Sequence, residues 1–559
     1  MSKKVIIYQV FTRLFGNGAS SPRKNGTIDE NGCGKFNAIG AMELSAMREM
    51  GISHVWYTGV IRHATQTDYT RYGLPANHPV VVKGKAGSPY AITDYYDVDP
   101  DLAESVPDRM AEFEALVRRT HDAGLKVIID FVPNHVARQY HSVCKPAGVA
   151  DLGEGDDSSL GFTPKNNFYY CPGCKFSPQF SLDAEGFGPY VEMPAKATGN
   201  DHFDPSPGVN DWYETVKLNY GVDYYAGRVA HFEPIPDTWH KMLAILLYWA
   251  AKGIDGFRCD MAEMVPAGFW HWATSRVKQQ HPGIVFIGEV YNPAEYRNYI
   301  SSGFDYLYDK VGMYDTLRGV TCGYMPASSI TGAWQAVDDI NCHMLYFLEN
   351  HDEQRIASDY FAGYGWRGVP ALVVSALMRR SPFMLYAGQE YGERGMDEEG
   401  FSGRDGRTTI FDYWSVGSLS RASNGTLTDN EKQLAAFYAK VLGMASTEKA
   451  VTEGEFFDLM YVNGHSGHFN PDRQYAFLRK SANQLLLVVA NFSDTAVEAG
   501  VTIPAHAFDF LGFGEKRCMA TDLLTGRRMS VSLVRDGLVT MPVGAWGACV
   551  LKLNTSAHK

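Results

Sequence analysis

The sequence predicts an α/β fold: a (β/α)8 TIM barrel with a subdomain inserted after strand 3 and a C-terminal antiparallel β-sandwich. Three observations point there. A unit of amphipathic helix, glycine stop and short apolar strand recurs along the first 445 residues, eight such strands can be counted, and these strands are apolar continuously rather than alternately. Continuous apolar strands belong to a parallel sheet buried on both faces, and eight of them with helices between close into a barrel. An open doubly wound sheet is the alternative, disfavoured because no Gly-x-Gly-x-x-Gly turn follows the first strand.

The strands are expected near residues 5–11, 54–59, 126–131, 255–260, 284–289, 305–309, 344–349 and 382–387. The first helix runs Ala41 to Met50 and stops at Gly51. The second presents Phe113, Leu116, Val117 and Thr120 on one face and stops at Gly124. The third runs from Asp237 through Leu243, Leu246 and Leu247 to Gly253. Glycine just past the last periodic residue is the expected helix stop. The connection after the third strand is too long for one crossover. Residues 136–215, rich in Gly, Pro, Asp, Ser and aromatics, read as an inserted domain, with 1–135 and 216–446 forming the barrel. From 447 to 559 the texture becomes short strands and turns (Tyr475-Ala-Phe-Leu, Gln484 to Ala490, Ala548 to Leu553), an antiparallel sandwich whose last few residues fray.

Of the 559 residues, 45% are hydrophobic and 20% charged, an ordinary soluble composition. The net charge of −12 argues against nucleic acid or an anionic membrane as partner, and no segment approaches the length of a membrane span. The N-terminus lacks the apolar core and cleavage site of a secretory signal, so a cytoplasmic location is expected. Nine scattered cysteines fit a reduced compartment. Cys171-Pro-Gly-Cys174 reads first as thiols in a structural loop; the alternative is half of a zinc site, which needs four ligands and could be completed by Cys144, His141 or His202. The oligomeric state is not legible.

Four segments carry chemistry: Asp130-Phe-Val-Pro-Asn-His135, Gly256-Phe-Arg-Cys-Asp260, Gly288-Glu289 and Phe347-Leu-Glu-Asn-His-Asp352. Each closes a predicted strand, and a barrel brings such residues together at the C-terminal ends of its strands. Arg258 and Asp260, two residues apart on one strand, face the same way. The cation is expected to keep Asp260 ionised. Glu289 has no basic residue in its own motif, and a partly apolar setting there would suit acid work. A structural Arg–Asp salt bridge is the plainer reading of Gly-Phe-Arg-x-Asp alone.

In order and spacing these segments resemble the signature regions of the α-amylase family of glycoside hydrolases, over roughly residues 5 to 445. The resemblance implies a retaining enzyme that cleaves α-1,4 bonds in starch, glycogen or maltooligosaccharides, with Asp260 as nucleophile, Glu289 as general acid/base and Asp352 gripping the sugar. It implies sugar contacts at His135, His351 and Arg258, and at Tyr90 of Gly87-Ser-Pro-Tyr, whose ring would stack on the pyranose at the cleavage site. A retaining reaction needs the two reacting carboxyls roughly 5–5.5 Å apart. Asn134 matches the position that ligates a structural calcium in many members, through the hard oxygen that calcium prefers. Met261-Ala-Glu-Met264 stands where many calcium-binding members carry Lys-His, which leaves the calcium open. Phe168, Tyr169, Tyr170, Trp212 and Tyr213 are either further sugar subsites or the inserted domain's own core. Other readings are an α-glucan transglycosylase or isomerase with the same triad, a non-catalytic carbohydrate-binding relative, and a metal-dependent barrel hydrolase using Asp130, His135, Asp260 and His351.

Overall fold

The computed structural model describes residues 4–395, 400, 401 and 403–555. The first three residues of the start read above for a signal, and the last four of the end read as frayed, lie outside the described residues.

Eight parallel strands close into a barrel: β1 (Ile6–Phe11), β2 (His54–Thr58), β3 (Lys126–Phe131), β4 (Gly256–Cys259), β5 (Val285–Gly288), β6 (Tyr306–Tyr308), β7 (Met344–Phe347) and β8 (Phe383–Tyr386), with β1 paired to both β2 and β8. These are the eight runs expected from sequence. Their inward side chains fill the interior: Ile7, Trp56, Ile128, Ile287, Tyr308, Leu345 and Met384 pack as one cluster with Phe347 and Tyr314. The barrel interior is therefore a packed core and not a channel. The other face of the strands packs against helices such as Arg109–Asp122 and Asp237–Ala251, whose buried stripes include Phe113, Leu116, Trp239, Leu246 and Trp249. Gly124 and Gly253 end these two units at φ 73° and 88°, the left-handed region where a Cβ is penalised.

After β3 the chain leaves the barrel through a ribbon. His135–Ala137 pairs antiparallel with Thr215–Lys217, putting His135 opposite Lys217. Between them lie loops with two-residue strand pairs, and a further short pair, Val222–Asp223 with Val229–Ala230, follows before the helix at Asp237 resumes the barrel. The C-terminal unit holds a six-stranded antiparallel sheet and a separate antiparallel pair, Val497–Ile503 with Gly537–Val543. Buried Arg479 joins this unit to the barrel by donating to the carbonyls of Met378, Ala450, Val451 and Gly454. All nine cysteines are free thiols, and among the described residues no helix is long and apolar enough to cross a membrane.

Candidate active site

Strands β3, β4, β5 and β7 deliver the four motifs to one mouth. Register sets the levels: Arg258 on β4 lies opposite Asp130 on β3 and Ile287 on β5, so Asp260 and Glu289 emerge one step further out. The ladder continues past the strands, because the Asp260 N–H donates to Phe131 O and the Glu289 N–H to Cys259 O. Both backbones are thus pinned to their neighbours.

Arg258 organises the carboxyls. Its Nη1 donates to Asp260 Oδ1 at 2.8 Å, Nη2 lies 2.9 Å from Glu289 Oε2, and Asp130 and Asp352 stand 3.8 and 3.9 Å away. The rings of Trp56, Tyr90 and Tyr308 enclose the guanidinium, 5.3 to 5.5 Å from it. Fully buried, Arg258 touches the carboxyls rather than the cleft, which corrects its sequence assignment as a sugar contact: it is a positioning residue. The same geometry corrects a second expectation. Glu289 has no basic neighbour in its own motif, but register supplies one from the adjacent strand.

Burial outweighs the pull of Arg258 on three of these carboxyls. Burial pushes Asp260 well above the usual aspartate range; Arg258 opposes this, and Glu289 and Asp352 reinforce it. Arg258 thus pulls Asp260 toward its ionised form, the direction expected from sequence, against a larger push from burial. Asp352 is pushed up to about 7, by burial and then Glu289, although its side chain is 37% exposed to the cleft. Asp130 is pushed up to about 6 by burial. Protons held by interacting carboxyls such as Asp260 and Asp352 belong to the pair rather than to one residue.

The remaining expected residues fall into two layers. Tyr90, His135, Asp260, Glu289 and Asp352 line a cleft of about 320 Å³, joined there by Trp212, Met261, Tyr291 and Phe411. Burial and then Lys217 push His135 down to about 3, so its ring is neutral. His351 lies beneath. Its Nδ1 is 2.8 Å from Gln9 Nε2, and its Nε2 meets the Tyr90 hydroxyl and lies 3.1 Å from Asp352 Oδ2. With Gln9 donating to Nδ1, the proton sits on Nε2 and faces Asp352 and Tyr90. The structure thus has His351 bracing the cleft wall with both ring nitrogens engaged. Of the five aromatics of the insertion, Trp212 reaches the cleft, while Phe168, Tyr169, Tyr170 and Tyr213 are buried in the insertion's own packing.

Asn134 does not fit a calcium ligand here. Its Oδ1 accepts from the Lys217 ammonium at 2.6 Å and its Nδ2 donates to Gly199 O at 2.8 Å, so both ends of the amide are engaged by protein groups. Among the described residues, the group of side chains close enough to share a metal is Asp94, Asp97 and Cys144, not the quartet of the metal-hydrolase reading. Arg109 already pairs with Asp97, and Asp94 accepts from Ser142 and from the Val143 and Cys144 N–H groups.

Sequence reading missed what holds Glu289. Met261 takes the left-handed conformation, φ 42°, uncommon for a residue with a Cβ. The turn aims its N–H at Glu289 Oε2, 2.8 Å away, while the Tyr291 hydroxyl donates to Oε1 at 2.6 Å. The Met261 N–H and the Arg258 guanidinium thus face Oε2, and the Tyr291 hydroxyl fixes Oε1. Tyr291→Phe is expected to lower kcat on maltooligosaccharides about tenfold, the worth of one positioning hydrogen bond. It should change the rate on α-glucosyl fluoride little. Equal losses on both substrates would show that Tyr291 only supports the fold.

Fold and rim together define a barrel enzyme with an acidic cleft. The sequence model of the α-amylase catalytic domain matches residues 9–434, and the chain belongs to that family. It is 24% identical to the α-amylase MalA of Haloarcula japonica over 92% of this chain, and it spans 59% of that relative's length. It is 23% identical to α-amylase 3 of Dictyoglomus thermophilum, covering 81% of this chain and 79% of the relative. Among solved structures, an α-amylase from H. orenii shares the fold with a TM-score of 0.64 at 18% identity, over the whole of both chains.

Proposed function

We propose that this chain is a retaining glycoside hydrolase acting on α-1,4-linked glucans, starch, glycogen or maltooligosaccharides, as an α-amylase does. The observation that carries the reading is the single guanidinium that binds both Asp260 and Glu289, with Asp352 beside them in one cleft. Asp260 attacks the anomeric carbon and forms a glycosyl ester, while Glu289 gives its proton to the departing sugar oxygen. Glu289, now a base, takes a proton from the incoming hydroxyl, and the ester opens. Asp352, open to the cleft, is placed to hydrogen-bond the sugar hydroxyls as positive charge develops on the ring. Water as the incoming group gives hydrolysis, and a sugar hydroxyl gives transfer by the same residues.

The test is proton NMR of maltooligosaccharide digestion from the first seconds, with the product profile followed to completion. Two inversions at one carbon leave the configuration unchanged, so the α-anomer should appear first. Initial release of β-anomer would overturn the mechanism. A profile of products longer than the substrate would assign transfer rather than hydrolysis.

A further inference from the structure

Three separate stretches of chain converge on one buried ammonium. Lys217, 2% exposed, closes the strand returning from the insertion. Its Nζ donates to Asn134 Oδ1, just beyond β3, and pairs with Asp201 Oδ1, from a turn of the insertion, each at 2.6 Å. The ring of Tyr224 lies 5.5 Å away and covers the ammonium from another side. The packing around this point is closed. A Cβ added at Gly199 would meet Thr215 Oγ1 at 2.6 Å and His135 Cβ at 2.9 Å, and Asp201 holds the left-handed conformation, φ 64°, that brings its carboxylate round. A calcium ion asks for six to eight oxygens at 2.3–2.6 Å. Here two side-chain oxygens already share a cation that is covalently part of the chain.

We propose that the Lys217 ammonium is the structural cation of this protein, fastening the insertion to the barrel where resemblance implies calcium, so that neither fold nor cleft depends on a divalent ion. The fastening bears on the cleft. Lys217 is the cross-strand partner of His135, and Asn134 Nδ2 lies 3.2 Å from His135 Nδ1. His135 in turn packs against Trp212, with ring centroids 5.4 Å apart. The wall that His135 and Trp212 give to the cleft is therefore positioned by Lys217, which does not line the cleft itself. A tethered side chain cannot leave, so the site stays occupied, and Asp201 opposes the push of burial toward the neutral amine. It carries one charge to calcium's two, which matches one carboxylate and one amide.

Melting temperature reads this without reference to activity, and so separates failure of this inference from failure of the functional reading. The full-length protein is expected to melt at the same temperature in EDTA as in millimolar calcium chloride. Lys217→Met should melt lower by on the order of 5 °C, since it leaves Asp201 without its partner. Asp201→Asn should also melt lower, and adding it to Lys217→Met should cost less than it does alone, because the two act through one contact. If Lys217→Met is not recovered folded, Asp201→Asn and the chelation arm decide. A native protein that loses melting temperature in EDTA and regains it with calcium would overturn the proposal. So would either variant melting like the native chain.

Discussion

Asp260→Asn is expected to lower kcat on every α-glucan by about 10⁴-fold or more, the scale seen when a nucleophile is removed from an otherwise intact site. An amide cannot form the ester, and no neighbour can substitute. Glu289 is held by Arg258, Met261 and Tyr291, and Asp352 stands 3.9 Å from the guanidinium and 3.1 Å from His351 Nε2. The variant should be more stable than the native chain at neutral pH, not less. Asp260 has a raised pKa in the fold. Between the ordinary aspartate value and that raised value, the folded chain keeps a proton that the unfolded chain has released. Folding is therefore increasingly opposed as pH rises through that window. Asparagine removes the term, while its side-chain oxygen still accepts from Arg258 Nη1. Steady-state rates with a melting curve check both. Activity within a hundredfold of native, or a marked fall in melting temperature, would show that Asp260 is a structural partner of Arg258.

That combination, a loss of rate with a gain of stability, follows from register that the motifs alone do not show. The strands themselves were legible because a buried parallel strand is an uninterrupted apolar run, and the motifs because each acid or amide sits where such a run stops. The pairing of Arg258 and Asp260 on one face followed from their spacing of two. Cross-strand effects were not legible. The approach of Arg258 to Glu289 depends on the stagger of β4 against β5, and the net upward shift of Asp260 depends first on how deeply the fold buries it and then on the carboxyls brought beside it. Tyr291 is two residues from Glu289, a spacing available in the sequence, but its hydroxyl could have pointed outward. Lys217 carries no motif at all. Its meeting with Asn134, 83 positions earlier, rests on the path of an insertion whose short strand pairs leave little periodicity to read.

Glu289→Gln is expected to separate acid from nucleophile. The side chain should keep its place, with the amide oxygen accepting from Arg258 and Met261 and the NH2 donating to the Tyr291 oxygen, so the cleft stays assembled while the deliverable proton is lost. Turnover of maltooligosaccharides, whose leaving sugar must be protonated, should fall by about 10² to 10⁴. α-Glucosyl fluoride needs no such help, so one equivalent of fluoride should leave rapidly per enzyme. The ester on Asp260 should then accumulate, because its hydrolysis needs the missing base. Added azide, a nucleophile that needs no base, should restore turnover, and its product should be the α-glucosyl azide, since attack on the β-linked ester inverts the carbon a second time. Asp260→Asn offers the opposite reading. Any azide product it makes must come from direct displacement and carry the β configuration. If Glu289→Gln yielded the β-azide and Asp260→Asn the α, the two carboxyls would have exchanged roles. If neither variant responded to azide or fluoride, the cleft built on Arg258 would not be where the bond is broken.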